Sequence, residues 1–343
     1  MQLGGAQLGG MQLIVLSAHA KINLCLDVLK RRPDGYHEVD MILQSIDLAD
    51  EITLEQSGDG AGADAAADTT GSVSIELCGA LAGTPCGPEN LVWKAAVLLA
   101  PLAAERERSG GGVRITLNKK IPTAAGLGGG SADAAAVLVG LNQLWNLSLS
   151  TPELEALGAK LGADVPFCIS GGCARARGIG TELTFLRGGP QLRQSGQSAQ
   201  GSQGAPLLNL VLFTPHIPVS TAAVYRNLNL DHCAGHPDVT SVWEGCRLSD
   251  INIITGHWGN VLQPVTFNMH PELARLKDRF ERLAGTPVIM SGSGPSLFTV
   301  QPNAAASQKL ADQMQDWPGQ VFAAATFPCG VDFGGNAFVS FKS

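Results

Sequence analysis

The chain has 343 residues, 45% hydrophobic and 15% charged, with 23 Lys+Arg against 30 Asp+Glu for a net charge of -7. At roughly 150 residues per domain this suggests two domains, with a composition well clear of disorder. The acidic balance argues against wholesale binding to nucleic acid or an anionic membrane, and no uncharged apolar run reaches the about 18 residues of a membrane span.

The N-terminus has no basic signal-peptide region, and the 8 cysteines form no C-x-x-C pair. Reduced thiols in a cytoplasmic protein are the simpler expectation than a zinc site or a disulfide framework, with a plastid stroma as the alternative compartment.

In chain order, Ile22, Leu24, Leu26 and Val28 alternate with polar residues and predict a strand with Lys21 and Asn23 on its other face. Pro33-Asp34-Gly35 predicts a turn, Val39 to Ile46 a second strand, and Ile52 and Leu54 a third. Ser57 to Gly71 reads as a surface loop. Leu91, Ala95, Leu98 and Leu102 predict a helix over 89–106, and Val113, Ile115 and Leu117 a strand.

A glycine-rich run, Gly126 to Ser131, is followed by helical spacing at Ala134, Leu138, Leu141 and Trp145. Ser150 and Glu153 predict a capping box for a helix lined by Leu154, Leu157 and Leu161 and stopped at Gly162. Gly188 to Pro206, rich in Gln, Ser and Gly, reads as a flexible insertion and a boundary. The expected domains are 1–187, a linker over 188–206, and 207–343. Beyond the linker, strands are expected at Leu210 to Phe213, Val288 to Met290 and Leu297 to Val300. Helices are expected at Thr221 to Leu228, from Pro271, and around Leu310 and Met314. Without a regular βαβ alternation, α+β is the preferred class.

Strand, glycine run, helix is the order that presents backbone N–H groups to a phosphate, since glycine allows close approach and the helix start adds partial positive charge. Common templates fail by register. Ser131 follows Gly130 with no lysine between, so this is not a Walker A loop. A dinucleotide fingerprint from Gly126 would need glycine at Ser131, and a nucleophile elbow at Ser131 would need glycine at Asp133. Plain turns remain the alternative reading for Gly126 to Ser131 and for Ser291 to Gly294.

Five motifs in order are more specific: Ala20-Lys-Ile-Asn-Leu24, Arg32-Pro-Asp-Gly-Tyr-His-Glu38, Ile121 through Ala135, Gly162-Ala-Asp-Val-Pro-Phe167 and Ser291-Gly-Ser-Gly-Pro-Ser296. Together they resemble the GHMP kinase superfamily, from about Ala18 to Val300. The resemblance implies a two-domain fold, with an N-terminal domain like ribosomal protein S5 domain 2 and a ferredoxin-like C-terminal domain. It implies an ATP-dependent small-molecule kinase, acting on a hydroxyl of a cytidine-diphosphate-linked polyol. A monomer or weak homodimer is expected.

The resemblance also implies roles. ATP would lie over Pro122, Gly126, Leu127, Gly128, Gly129, Gly130 and Ser131, with Asn90 near the adenine; Asn90 also reads as a helix N-cap. Asp164 would take the acceptor proton; locally it also reads as a helix cap. Lys21 would neutralise charge developing at the γ-phosphate, against the plainer reading of an exposed strand lysine, and Asn23 would orient substrate. Tyr36 and His37 would recognise the base, with Thr221 and Tyr225 on the far side of that pocket; Tyr225 also reads as core packing. Gly292, Ser293 and Gly294 would complete the acceptor site. Mg²⁺ would bridge the ATP phosphates, with Ser131 its one suggested protein contact.

Three residues depart from the family pattern: His19 in place of a common proline, Ala124 in place of a common glycine, and Ile179 in place of a frequent basic residue. Another kinase of the superfamily and a non-catalytic ligand-binding sensor are the competing readings. The Tyr36-His37 pair argues against the first, and Lys21 together with Asp164 against the second.

Overall fold

The computed structural model describes residues 13–56, 75–78, 87–105, 112–186, 207–230 and 235–333. The expected 57–71 loop and 188–206 insertion, and the tail over 334–343, lie outside the described residues.

Two long strands form the spine, β1 (Leu13–Arg31) and β2 (His37–Gln56), paired antiparallel over nearly their whole length. Ile14, Leu16, Ile22 and Leu24 on β1 are fully buried. Each such side chain contributes about 1.5–3 kcal/mol on leaving water. The turn between the strands is fixed by Asp34, whose Oδ1 accepts from Tyr36 N at 3.1 Å, and by the positive φ of Gly35.

The second and third expected strands are one: β2 runs on through Asp47 to Asp50 instead of breaking. Its two halves serve different neighbours. Val39 to Gln44 pairs with β5 (Cys173–Gly178), and Glu51 to Gln56 with β4 (Val113–Asn118). Ser45, Asp47 and Asp50 lie at this changeover, and they are the feature that read as a break. β3 (Ile75–Cys78) lies beyond β4, and β6 (Glu182–Phe185) beyond β5.

Helices α1 (Leu91–Glu105), α2 (Gly129–Leu144), α3 (Thr151–Gly158) and α4 (Val165–Ser170) accompany this sheet. α2 begins five residues earlier than its apolar spacing suggested, so Gly129, Gly130 and Ser131 are its first turn rather than loop. α3 has the expected capping box of Ser150 and Glu153. It ends at Gly158 rather than running to Leu161, because Leu161 N turns back to Gly158 O at 2.9 Å.

The second sheet takes β7 (Asn209–Pro215), β9 (Ile289–Met290), β10 (Leu297–Gln301) and β11 (Gly319–Ala325) in the order β11-β7-β10-β9, all antiparallel. With α9 (Pro271–Ala284) before β9 and α10 (Ala304–Asp312) before β11, this is the ferredoxin-like β-α-β-β-α-β arrangement. Between β7 and α9 come α5 (Thr221–Asn227), α6 (Val239–Leu248), α7 (Ile251–His257), β8 (Gly259–Asn260) and α8 (Gln263–Met269). Sequence patterning missed α6 and α7, although Asp238 and Asp250 cap them with side-chain bonds to Ser241 N and to Asn252 N and Ile253 N.

The two halves interlock. β8 pairs in parallel with Cys25 and Leu26, and β12 (Val331–Phe333) pairs with Leu16 to Ala18. The chain beyond residue 206 therefore contributes two strands to the first sheet. His19, at the edge of this join, is buried and stacks on Phe327 with ring centroids 3.9 Å apart. Burial pushes its pKa down to about 4, so the ring is neutral and structural.

Candidate active site

Two irregularities in β1 build the site. Its pairing with β2 slips between His19 and Lys21 and again between Asn23 and Cys25. Such a slip frees backbone groups from the ladder. Lys21 N donates to Leu127 O at 2.9 Å, and Asn23 N donates to Ser291 Oγ at 3.3 Å. One strand thus holds both glycine turns.

The two turns also hold each other. Ser291 Oγ donates to Gly126 O at 3.1 Å, and Ser296 N donates to Ala125 O at 3.3 Å. Gly126 has φ 75°, and a Cβ there would collide with the Ser291 carbonyl oxygen. Gly128 has φ 70°, and a Cβ there would stand 3.0 Å from Lys21 Cγ. Both positions therefore need glycine for backbone and for space. Gly128 starts α2 with no side-chain cap. The first N–H groups of a helix have no intrahelical partner, so this one presents donors and partial positive charge to an anion.

The Ser291 to Gly294 turn is a hairpin turn and part of the site at once. Asn260 Nδ2 donates to Met290 O at 2.8 Å and to Gly292 O at 2.7 Å. Thr266 Oγ1 donates to Ser293 O at 3.1 Å, and the Ser293 and Thr221 hydroxyls lie 2.7 Å apart. Asn260 and Thr266 escaped sequence reasoning, because no spacing ties them to a turn some 30 residues later in the chain.

Lys21 is 5% exposed, against the plain reading of an exposed strand lysine. Its Nζ donates to Asn23 Oδ1 at 2.9 Å and stands 3.7 Å from Asp164 Oδ2. A Cβ on Gly292 would lie 3.5 Å from both Lys21 Nζ and Asn23 Oδ1, so this turn closes over the pair. Asp164 immediately precedes α4 but makes no side-chain capping bond. Its side chain is 32% exposed and faces Lys21 instead. Ser131 is on the same side, its Oγ 4.0 Å from where a Cβ of Gly162 would sit.

His37 opens β2 and meets Tyr225 of α5, ring centroids 5.0 Å apart and tilted by 39°. Burial, with the nearby Asp164 charge second, pushes the Tyr225 phenol up to about 12, so it stays neutral beside the carboxylate. Partial burial, and then the Arg31 charge, lower the His37 pKa below its usual value. Tyr36 is not brought to them: it is 61% exposed, and its ring meets no other aromatic among the described residues. Asn90 Oδ1 accepts from Val92 N at 2.9 Å at the start of α1, and Leu91 packs toward Gly130.

Three charged residues beneath the glycine loop were not singled out from sequence. Lys119 bonds Asp50 and, at 2.6 Å, Asp133. The consecutive lysines before Ile121-Pro122, and an aspartate inside the glycine motif, were the available signal. Among the described residues no three or more His, Cys, Asp and Glu gather to hold a metal, and no helix is long and apolar enough to cross a membrane. The described cysteines Cys25, Cys168, Cys173, Cys246 and Cys329 are buried and not in disulfides.

Comparison with known proteins agrees with this architecture. The GHMP kinase N-terminal domain family matches residues 90–172, and the GHMP kinase C-terminal family matches residues 251–319. A 4-diphosphocytidyl-2-C-methyl-D-erythritol kinase of Geobacillus sp. (strain WCH70) is 41% identical over 313 residues, 91% of this chain and 96% of that relative. The enzyme of the same name from Bacillus cytotoxicus is also 41% identical over the same shares. A crystal structure of 4-(cytidine 5'-diphospho)-2C-methyl-D-erythritol kinase superposes with TM-score 0.70 at 32% identity, covering 91% of this chain and 99% of that one. Homoserine kinase from Cytophaga hutchinsonii shares the fold, with TM-score 0.67 at 20% identity over 97% of this chain and all of that one.

Proposed function

The chain belongs to the GHMP kinases, in the branch of the 4-diphosphocytidyl-2-C-methyl-D-erythritol kinases, and from that premise we propose how its residues divide the reaction. The protein transfers the γ-phosphoryl group of ATP to the 2-hydroxyl of 4-diphosphocytidyl-2-C-methyl-D-erythritol, giving the 2-phosphate and ADP, in isoprenoid precursor biosynthesis. The observation that carries the division of roles is the pairing of Lys21 with Asp164 at the mouth of an uncapped helix start.

Phosphoryl transfer requires positioning and charge neutralisation more than covalent help. The N–H groups of Gly129, Gly130 and Ser131 hold the ATP phosphates, and Lys21 balances charge developing at the γ-phosphate. Asp164 accepts the proton as the 2-hydroxyl oxygen bonds phosphorus and the bond to ADP breaks. Asn23 anchors Lys21 and faces the acceptor. Tyr225 and His37 hold the cytosine, the first by its face and the second by hydrogen bonding, while Tyr36 covers it from the exposed side. Thr221, Ser293 and the backbone of Gly292 and Gly294 line the polyol and diphosphate.

Mg²⁺ suits this donor set. The Ser131 hydroxyl at a helix start, with no carboxylate cage among the described residues, fits an ion held mainly by phosphates and water. When bound it screens the charge of the β- and γ-phosphates.

Turnover with ATP and the cytidylated tetrol, read as formation of its monophosphate, tests the assignment. Phosphorylation of that acceptor, with homoserine and mevalonate left untouched, is the expected result. A folded protein that phosphorylates one of those two and not the cytidylated compound overturns it.

A further inference from the structure

Asp50, Lys119 and Asp133 come from three places around the phosphate loop. Asp50 is on β2, Lys119 is in the connection leaving β4, and Asp133 is in α2, which the loop feeds. All three are buried: their side chains are 0%, 4% and 4% exposed in that order. Lys119 Nζ donates to both carboxylates. Asp50 Oδ1 also accepts from Lys120 N and, at 2.8 Å, from Ile121 N. One aspartate therefore fixes the entry to the loop while the lysine ties that entry to the exit helix.

The lysine also abuts the loop. Its Nζ would lie 3.4 Å from a Cβ placed on Gly129, the first residue of α2. Ile121, whose amide Asp50 holds, would stand 3.0 Å from the same Cβ. The cluster is thus packed against the donors that face a phosphate. None of its three members belongs to the acceptor pocket or touches Asp164 in this structure.

Two carboxylates share one ammonium, and Asp133 Oδ1 is buried without a hydrogen-bond partner.

We propose that Asp50, Lys119 and Asp133 form a clamp that positions the phosphate loop for ATP, with Lys119 as its positioning residue. The proposal rests on the kinase reading above for the identity of the loop's ligand. It assigns the clamp to the nucleotide alone and not to the acceptor.

Direct binding separates the two. The probes are a non-hydrolysable ATP analogue with Mg²⁺ and, separately, the cytidylated acceptor, titrated calorimetrically into the full chain. Lys119→Met alone would leave two carboxylates facing each other, so it is combined with Asp133→Asn, which removes one of them. The double variant is expected to bind the analogue at least about tenfold more weakly, with acceptor affinity within about twofold of wild type.

A folded double variant with unchanged analogue affinity, or one that weakens both ligands equally, overturns the clamp. If the double variant does not fold, Asp50→Asn is read by the same criterion, because its amide nitrogen must face one of three donors. Wild-type protein that binds the ATP analogue but never phosphorylates the cytidylated acceptor contradicts the functional reading and leaves the clamp's own test standing.

Discussion

Two lysine–aspartate groupings lie beside one glycine loop and behave oppositely. Lys21 and Asp164 are 3.7 Å apart, and the carboxylate is one-third exposed. Lys119 sits tightly between Asp50 and Asp133, all three shut away from solvent. In the loose pair Asp164 makes no cap bond and is open to solvent, so on the proposed reading a substrate hydroxyl can reach it beside Lys21. In the tight cluster the contacts of Lys119 go to fixed protein partners, leaving it no room for chemistry. On the proposed reading the partly exposed Asp164 reacts, and the closed cluster holds the frame.

The contrast breaks most visibly through stability. Asp50→Ala leaves Lys119 short of a partner and two backbone amides unpaired, and should cost about 3–5 kcal/mol of unfolding free energy, as for a broken buried pair. Urea denaturation reads this; a loss below about 1 kcal/mol would mean that the cluster is no frame.

Next in size is the base pocket. Tyr36→Ala should weaken acceptor binding by about 1–3 kcal/mol through lost stacking, with ATP affinity little changed. The exposure of Tyr36 in this structure makes this the sharper choice, because its ring has little packing to lose on substitution. An equal loss for ATP in titration calorimetry would put Tyr36 in the wrong pocket.

The pH dependence of stability is subtler. The Asp133 pKa is raised from 3.8 to about 8 by burial first. The folded state then holds a proton that the unfolded state has released, so stability falls as pH rises across that window. Asp133→Asn removes this titration, and its unfolding midpoint should decline less with pH than that of wild type. Parallel curves would show that Asp133 is ionised in the fold.

The smallest effect is at Ala124, which holds φ 51° in the loop where glycine is the relaxed choice. Ala124→Gly should raise stability by up to about 1 kcal/mol, since relief of left-handed strain exceeds the added chain entropy. A lower unfolding midpoint would contradict that.

The sequence showed these regions unequally. The strand–glycine run–helix order was legible locally, whereas Lys21, Asn23 and Asp164 stood out only through the resemblance of their motifs to a family, since singly they read as a strand lysine, a strand asparagine and a helix cap. The alternation at Ile22 to Val28 showed part of β1, but not its start at Leu13 nor the burial of both its faces. The fusion of two expected strands into β2 was hidden, because its polar midsection reads as a break and only its change of partners explains it. The return of β12 to the first sheet depends on contacts more than 300 residues apart, such as Leu16 with Phe333. Asp164 read locally as a cap or a base, and its side chain makes no cap bond in the fold. The Asp50–Lys119–Asp133 cluster was the least legible, since buried charges in sequence look like any surface charges.

The central claim is that the open pair does the chemistry. Steady-state kinetics of Asp164→Asn with saturating ATP and the cytidylated acceptor test it most directly. The expected result is a fall in kcat of about 10²–10⁴, with the KM for ATP and the unfolding midpoint near wild type. A kcat within a few-fold of wild type would contradict the account and reduce Asp164 to a residue that merely starts a helix.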